Sequence, residues 1–313
     1  MFDLQVNGYG GIDLNAPHLT LEEVLHFCAR VRGDGTEEIL GTVITAPPQQ
    51  MLDRVAQLAA TIESHAEVAA VIRGLHIEGP FLNPEPGYIG AHAPAAVQHA
   101  SIDFAARLVE AGRGTIRLWT LAPEMDPDLR CTQWLTGQGI VVAGGHSNAS
   151  RSDLQRAIDA GMRLFTHLGN GCPADLPRHD NIIQRVLSCA GQLAISWIAD
   201  GHHVPFFALA NYLRCIPPEN VILVSDAMAA AGCGPGTYWL AGAQVEVDAE
   251  RAAWGAGRKN FAGSATSLPQ MRDLLAERLG ISPHQLALWT DENPRRWCPR
   301  GSAPAQVTPL PHS

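Results

Sequence analysis

Five short apolar runs in this sequence end on side chains that can ligate a metal or move a proton. "GLHIEGP" presents Glu78, "AGGHS" presents His146 and "LFTHLGN" presents His167. "WIADGHHVP" presents Asp200, His202 and His203, and "LVSDAM" presents Asp226. Two imidazoles and one carboxylate make a zinc site that keeps an open position. Such an ion brings the pKa of its water down to about 7. A further carboxylate that takes the water's proton and returns it to a leaving group would complete a hydrolase, and Asp226 is the candidate. Each residue also has a plainer reading. Glu78 could be an ion-pair partner, His146 and His167 hydrogen-bonded core histidines, and Asp226 a helix cap. So many reactive residues at the ends of successive runs weigh against all of these holding at once.

A rival chemistry starts from "GGHSNAS". Gly145-His146-Ser147-Asn148-Ala149 is one residue short of the Gly-x-Ser-x-Gly nucleophile elbow. That reading requires an acid and then a histidine downstream of the serine. After Asp226 the only well-placed histidine is His284, and no HGGG-type segment lies upstream. The metal reading accounts for more of the sequence.

The elements that must position these residues alternate. Strands are expected over Phe2–Asn7, Glu38–Thr45, Ala69–Ile77, Thr115–Leu121, Ile140–Gly145, Leu164–His167, Leu193–Ala199 and Val221–Ser225. Helices are expected over Leu21–Val31, Gln49–His65, Ile102–Ala111, Pro127–Thr136, Arg151–Ala160, Asn181–Ala190, Pro205–Arg214 and Leu268–Leu279. Strict strand–helix alternation implies a parallel sheet. Eight units suit a (β/α)8 TIM barrel, whose chemistry sits at the carboxyl ends of the strands; a doubly wound sheet is the structural alternative. Two insertions fall on that same end. Pro80–His99 follows the third strand, and Thr237–Gly263, which contains the hairpin-like "TYWLAGAQVEV", follows the eighth. One catalytic barrel over 1–298 is expected, with a loose proline-rich tail over 299–313.

Composition removes several function classes. The 313 residues are 46% hydrophobic and 17% charged, which suits a globular chain with a sizeable core. The net charge of −9, without a Lys/Arg run, argues against nucleic-acid binding. No apolar stretch is long enough to span a membrane. The start "MFDLQVNGYG" lacks the features of a signal peptide. The seven cysteines are scattered and form no C-x-x-C pair, as expected of reduced thiols in the cytoplasm.

"HIEGPFLNPEPGYIGAH", "GGHSNAS", "FTHLGNG", "IADGHHVP", "VILVSDAMAAAG", "GTYWLAG" and "FAGSATSL" occur in this order. With them the chain resembles the N-acetylglucosamine-6-phosphate deacetylases, metal-dependent barrels of the amidohydrolase superfamily. The resemblance runs from "FDLQVNGYGGIDLN" to "TDENPRRW". It implies hydrolysis of the acetyl amide of a phosphorylated amino sugar, with Glu78, His146 and His167 as metal ligands and Asp226 as acid/base. It implies that His92 meets the acetyl carbonyl and that Ala91 beside it binds substrate, that Asn170, Gly171 and His203 contact the sugar phosphate, and that Phe261, Ala262 and Gly263 close over the sugar. Arg178 falls where relatives contribute a phosphate-binding arginine from a neighbouring subunit, so a homodimer is implied. His76, Asp200 and His202 acquire no role from the resemblance; His76 reads as support for the site.

Three departures carry expectations of their own. Many amidohydrolases place His-x-His at the end of strand one, whereas this chain has Gln5-Val6-Asn7. Neither amide is a strong transition-metal ligand, so one divalent ion is expected: Zn²⁺, with Fe²⁺ or Mn²⁺ able to take the same set. The chain starts at strand one and ends in the proline-rich tail, so the family's accessory β-sandwich is expected to be lacking. Finally, "GNGCPADLPRHDN" follows His167, where Asn-Ala is usual. A related amidohydrolase acting on another N-acyl amino sugar or cyclic amide is the alternative, and a barrel that binds sugar phosphate without catalysis is a third reading.

Overall fold

The computed structural model describes residues 1–299. Of the expected tail, 300–313 lies outside the described residues. Eight strands run in chain order around one sheet: β1 (Phe2–Val6), β2 (Glu38–Ile44), β3 (Ile72–Glu78), β4 (Ile116–Leu121), β5 (Val141–Gly144), β6 (Leu164–Phe165), β7 (Ala194–Trp197) and β8 (Val221–Leu223). Every pairing between neighbours is parallel. All five residues of β1 are buried, as are six of the seven in β2. Strands covered on both faces read as nearly continuous apolar runs, which is why they are legible in the sequence. This is the (β/α)8 arrangement, not the doubly wound alternative.

The seam between β8 and β1 closes through loop atoms. Asn7 N–H donates to the Ala227 carbonyl at 2.7 Å, and Val6 bridges Ala227 in parallel. The buried Asp3 carboxylate accepts Gln5 N–H and Ser225 N–H, each at 3.2 Å. Burial outweighs those bonds and pushes the Asp3 carboxyl up to about 7.

The outer helices are α1 (Leu21–Gly33), α2 (Pro48–Ser64), α3 (Ile102–Ala111), α4 (Arg130–Gly137), α5 (Arg151–Asp159), α6 (Ile182–Leu187), α7 (Phe206–Leu213) and α8 (Leu268–Leu279). Helix α1 buries Val24, Phe27, Cys28 and Val31, spaced to form one apolar stripe. Capping boxes start α1 (Thr20 with Glu23), α5 (Ser150 with Asp153) and α8 (Ser267 with Gln270). Helix α4 begins at Arg130 and not at Pro127, because Pro123–Met125 forms a separate 3-10 turn and Leu129 is left-handed. Among the described residues no helix is long and apolar enough to cross a membrane.

The second insertion forms an antiparallel sheet of β9 (Gly236–Leu240), β10 (Ala243–Val247) and β11 (Ala253–Trp254). It has its own small core, in which Leu240, Val245 and Val247 pack with Ile44 and Met228. Ile44 ends β2 and Met228 follows β8, so the hairpin is anchored at the mouth of the barrel.

Candidate active site

The site is built where strands stop being strands. Glu78 is the last residue of β3 and pairs in register with Ile44 of β2 and Thr120 of β4. His146, His167 and Asp226 lie two or three residues beyond the ends of β5, β6 and β8. All three have left-handed backbones, with φ of 48°, 29° and 48°. Such conformations are strained for residues with side chains and persist only where the surroundings impose them. Here Asn83 N–H donates to the His146 carbonyl at 2.9 Å, His167 N–H to Ser196 Oγ at 2.7 Å, and Ser264 N–H to the Asp226 carbonyl at 2.8 Å. The left-handed turn ends the ladder early, so β6 stops at Phe165 and not at His167. Next to Glu78, Gly79 has φ of 88°, and a Cβ there would meet Thr45 Oγ1 at 2.0 Å. No other residue fits that turn.

Glu78 is the hub. Its Oε1 lies 2.7 Å from His167 Nε2 and 3.3 Å from His146 Nε2, and its Oε2 is 3.7 Å from His92 Nε2. His92 and His146 face one another, Nε2 to Nε2, at 3.2 Å. Glu78, His92 and His146 offer ligand atoms that all lie within 4.8 Å of one another. His146 Nδ1–H donates to the Tyr88 carbonyl at 2.7 Å, which fixes the ring with Nε2 towards Glu78. Fully buried imidazole nitrogens converging on a buried carboxylate are a donor set made for a divalent cation. The residues present fit that group. Burial opposes ionisation of Glu78, but the imidazoles of His146 and His167 outweigh it and hold the carboxyl well below its ordinary range. Burial, then the neighbouring His146, push His92 down to about 3.

Asp226 stands apart from this cluster. Its Oδ1 accepts Asn7 Nδ2–H at 2.7 Å. Burial and then the charge of Glu78 push its carboxyl up to about 6, within the range useful to a general base. Gln5 Nε2–H donates to Glu78 Oε1 at 3.0 Å. The Gln-x-Asn of strand one therefore supplies two amide donors, one to each key carboxylate. The sequence excluded these amides as metal ligands but did not reveal this role. His76 is buried and neutral, pushed down to about 4 by burial, with Nε2 2.7 Å from Thr120 Oγ1; it supports β3 and β4 beneath Glu78.

The pocket over these residues is lined by Asn7, Glu78, Ala91, His92, His146, His167, Asn170, Asp226, Phe261 and Gly263, with Ile44 and Leu240 as its apolar wall. Ala262 is buried behind it, its N–H on the Ala253 carbonyl. His203 lies beside the lining, its ring 4.9 Å from that of Phe261. His202 turns away to the Glu250 carbonyl at 2.9 Å. Arg178 is exposed and not part of the pocket wall of this chain.

Ser147 is occupied elsewhere. Its Oγ donates to Glu124 Oε2 at 2.6 Å and accepts Ala149 N–H at 2.9 Å. Glu124 Oε1 also takes Asn148 N–H at 2.6 Å and Asn83 Nδ2–H at 2.9 Å, clamping the loop that carries His146. Ser147→Ala is expected to keep kcat within about twofold of wild type and to cost about 1 kcal/mol of stability. Steady-state rates and thermal melts check both, and a dead variant would restore the nucleophile reading.

Gly171 explains one departure from the expected Asn-Ala. A Cβ there would lie 2.8 Å from His146 Nδ1 and 3.0 Å from its Cα. His146 cannot yield without breaking its bond to Tyr88. Gly171→Ala is therefore expected to displace the imidazole and lower kcat/KM about tenfold or more. Metal content and initial rates measured together would show it, and a variant unchanged in both would refute the argument.

No family model matches the chain. Among characterised proteins it is 28% identical over 296 residues to an N-acetylgalactosamine-6-phosphate deacetylase of Escherichia coli O157:H7, covering 94% of this chain and 76% of that protein. It is 33% identical over 269 residues to the human N-acetylglucosamine-6-phosphate deacetylase, covering 84% of this chain and 64% of that protein. Among solved structures it matches a variant N-acetyl-D-glucosamine-6-phosphate deacetylase from Mycobacterium smegmatis in complex with N-acetyl-D-glucosamine-6-phosphate. That match has a TM-score of 0.86 and 30% identity, over 95% of this chain and 76% of the other. The chain thus spans about two thirds to three quarters of the length of these relatives. By these likenesses over nearly all of its length, the chain belongs to the N-acetylglucosamine-6-phosphate deacetylase family of the amidohydrolase superfamily.

Proposed function

We propose that this protein hydrolyses the acetyl amide of N-acetylglucosamine 6-phosphate to glucosamine 6-phosphate and acetate. The observation that carries the reading is the pairing, in one buried pocket, of Glu78 with the imidazoles of His146, His167 and His92, a cluster suited to a divalent cation, and a separate carboxylate, Asp226, held by Asn7. Relatives named for this reaction give the substrate class.

Glu78, His146 and His167 would hold the cation, with Zn²⁺ suiting the set and Fe²⁺ or Mn²⁺ able to replace it. When bound, it supplies Lewis-acid polarisation of the acetyl carbonyl and acidifies water. Asp226 takes the proton of the attacking water as its oxygen bonds to the carbonyl carbon. His92, buried among the lining residues, stabilises the carbonyl oxygen as it gains charge. The C–N bond then breaks, and Asp226 gives the proton to the departing amine. Asn170, Gly171 and His203 face the sugar phosphate, Ala91 accompanies His92, and Phe261, Ala262 and Gly263 cover the sugar. Leu240 and Ile44 keep bulk water from the reacting carbonyl.

Arg178 serves the phosphate of a partner subunit in a homodimer, a role its exposure on this chain permits. A cytoplasmic location belongs to the same reading, supported by seven cysteines that are all unpaired.

The test is metal analysis joined to acetate release from N-acetylglucosamine 6-phosphate, with the 4-epimeric sugar phosphate as comparison. His167→Asn is expected to lose the ion, and His92→Asn to keep it while losing turnover. Active protein without stoichiometric metal would overturn the reading.

A further inference from the structure

Asp200 follows β7 by three residues and is 6% exposed, yet it accepts four hydrogen bonds. Its Oδ1 takes His202 N–H at 2.9 Å and His203 N–H at 3.0 Å. Its Oδ2 takes His203 Nδ1–H at 2.8 Å and Ser264 Oγ–H at 3.3 Å. The His203 side chain is only 2% exposed. Its Nε2, on the side of the ring away from Asp200, is buried and has no partner among the described residues. A buried N–H without an acceptor costs stability, so its retention next to a binding pocket calls for an acceptor that arrives with the ligand. The ring of Phe261, which lines the pocket, packs against His203 at 4.9 Å.

We propose that Asp200 is a positioning residue for the reaction: it fixes the orientation and the proton of His203, so that Nε2–H is held ready beside Phe261 for an oxygen of the anionic substrate. This rests on the sugar-phosphate reading given above. Asp200 also holds Ser264, two residues after Ala262, so one carboxylate sets both the donor and the base of the loop that covers it.

The electrostatics run the same way. Burial opposes charge on both partners, but the His203 imidazolium holds Asp200 down at about 2, and Asp200 raises His203. The other charged groups facing His203 are Asp226, which favours its proton, and His167, which opposes it. An imidazolium raised in this way loses its proton only above its ordinary pKa.

The experiment compares wild type with Asp200→Asn, which keeps an acceptor for Nδ1–H and removes the charge. In the variant KM for the phosphorylated substrate is expected to rise about ten- to hundredfold, the value of a charge-assisted bond, with metal content unchanged. The rise is expected to grow above about pH 6.5, where an unassisted histidine is neutral. A variant with wild-type KM and a wild-type pH profile overturns the proposal. Should the variant fail to fold, NMR titration of His203 in the wild-type protein decides the matter: a ring that is neutral at pH 7 refutes the role. That titration needs no substrate. If wild type releases no acetate from the sugar phosphate, the functional reading fails while the role of Asp200 is still judged.

Discussion

Asp226→Asn is expected to abolish turnover while leaving fold and metal in place. The exchange is nearly isosteric and keeps Oδ1 as acceptor for Asn7 Nδ2–H, now at 2.7 Å. What it removes is the ability to take a proton from water and return it to the amine. A positioned general acid/base contributes typically ~10²–10⁴-fold, and here one group serves both transfers, so the loss belongs at the upper end. Glu78 is not a substitute, because the imidazoles that surround it hold its carboxyl well below the range of an effective base. Acetate release per chain, beside metal analysis and a thermal melt of the same sample, checks the claim. Residual activity within tenfold of wild type would sink the assignment of Asp226.

Glu78→Gln is expected to lose both the ion and the reaction. Glu78 Oε1 receives Gln5 Nε2–H at 3.0 Å as well as His167 Nε2 at 2.7 Å. Gln removes the charge, and its amide nitrogen turns a donor towards groups that are themselves donors or metal-binding nitrogens. The several kcal/mol of a Lewis acid correspond to a fall in kcat/KM of about a thousandfold or more. Inductively coupled plasma analysis is expected to find far less than one ion per chain. The two variants separate two functions of one pocket: Asp226→Asn is an inactive holoprotein and Glu78→Gln an inactive apoprotein. A Glu78→Gln protein that retained its ion would move the metal site to other residues.

What was legible in the sequence was local. Helices Ile102–Ala111 and Leu268–Leu279 have the expected bounds, and the structure shows Ser101 and Ser267 capping them. The strands announced themselves because both their faces are buried. Glu78, His146, His167 and Asp226 were visible because barrel strands end in the residues that line the mouth, and Glu78, His146 and His167 do converge within hydrogen-bonding reach. The doubt over "GGHSNAS" also had a local resolution, since Ser147 serves the clamp around Glu124.

What the tertiary structure decided was which side chains meet. Nothing in "FDLQVNG" says that Gln5 will reach Glu78, 73 residues on, or that Asn7 will reach Asp226, 219 residues on. The first pairing spans β2 from β1 to β3, and the second exists only because the sheet closes between β8 and β1. His92 belongs to a loop without periodicity, and only packing brings its Nε2 to 3.2 Å from His146. Asp200 was visible as a residue at a strand end but not as the partner of His203, and Gly171 was an oddity until its missing Cβ was found to face His146. Periodicity, capping and burial are short-range properties that one stretch of chain carries by itself. The bonds of Gln5 and His167 to Glu78 and of Asn7 to Asp226 join the ends of strands far apart in sequence, which only the barrel brings together.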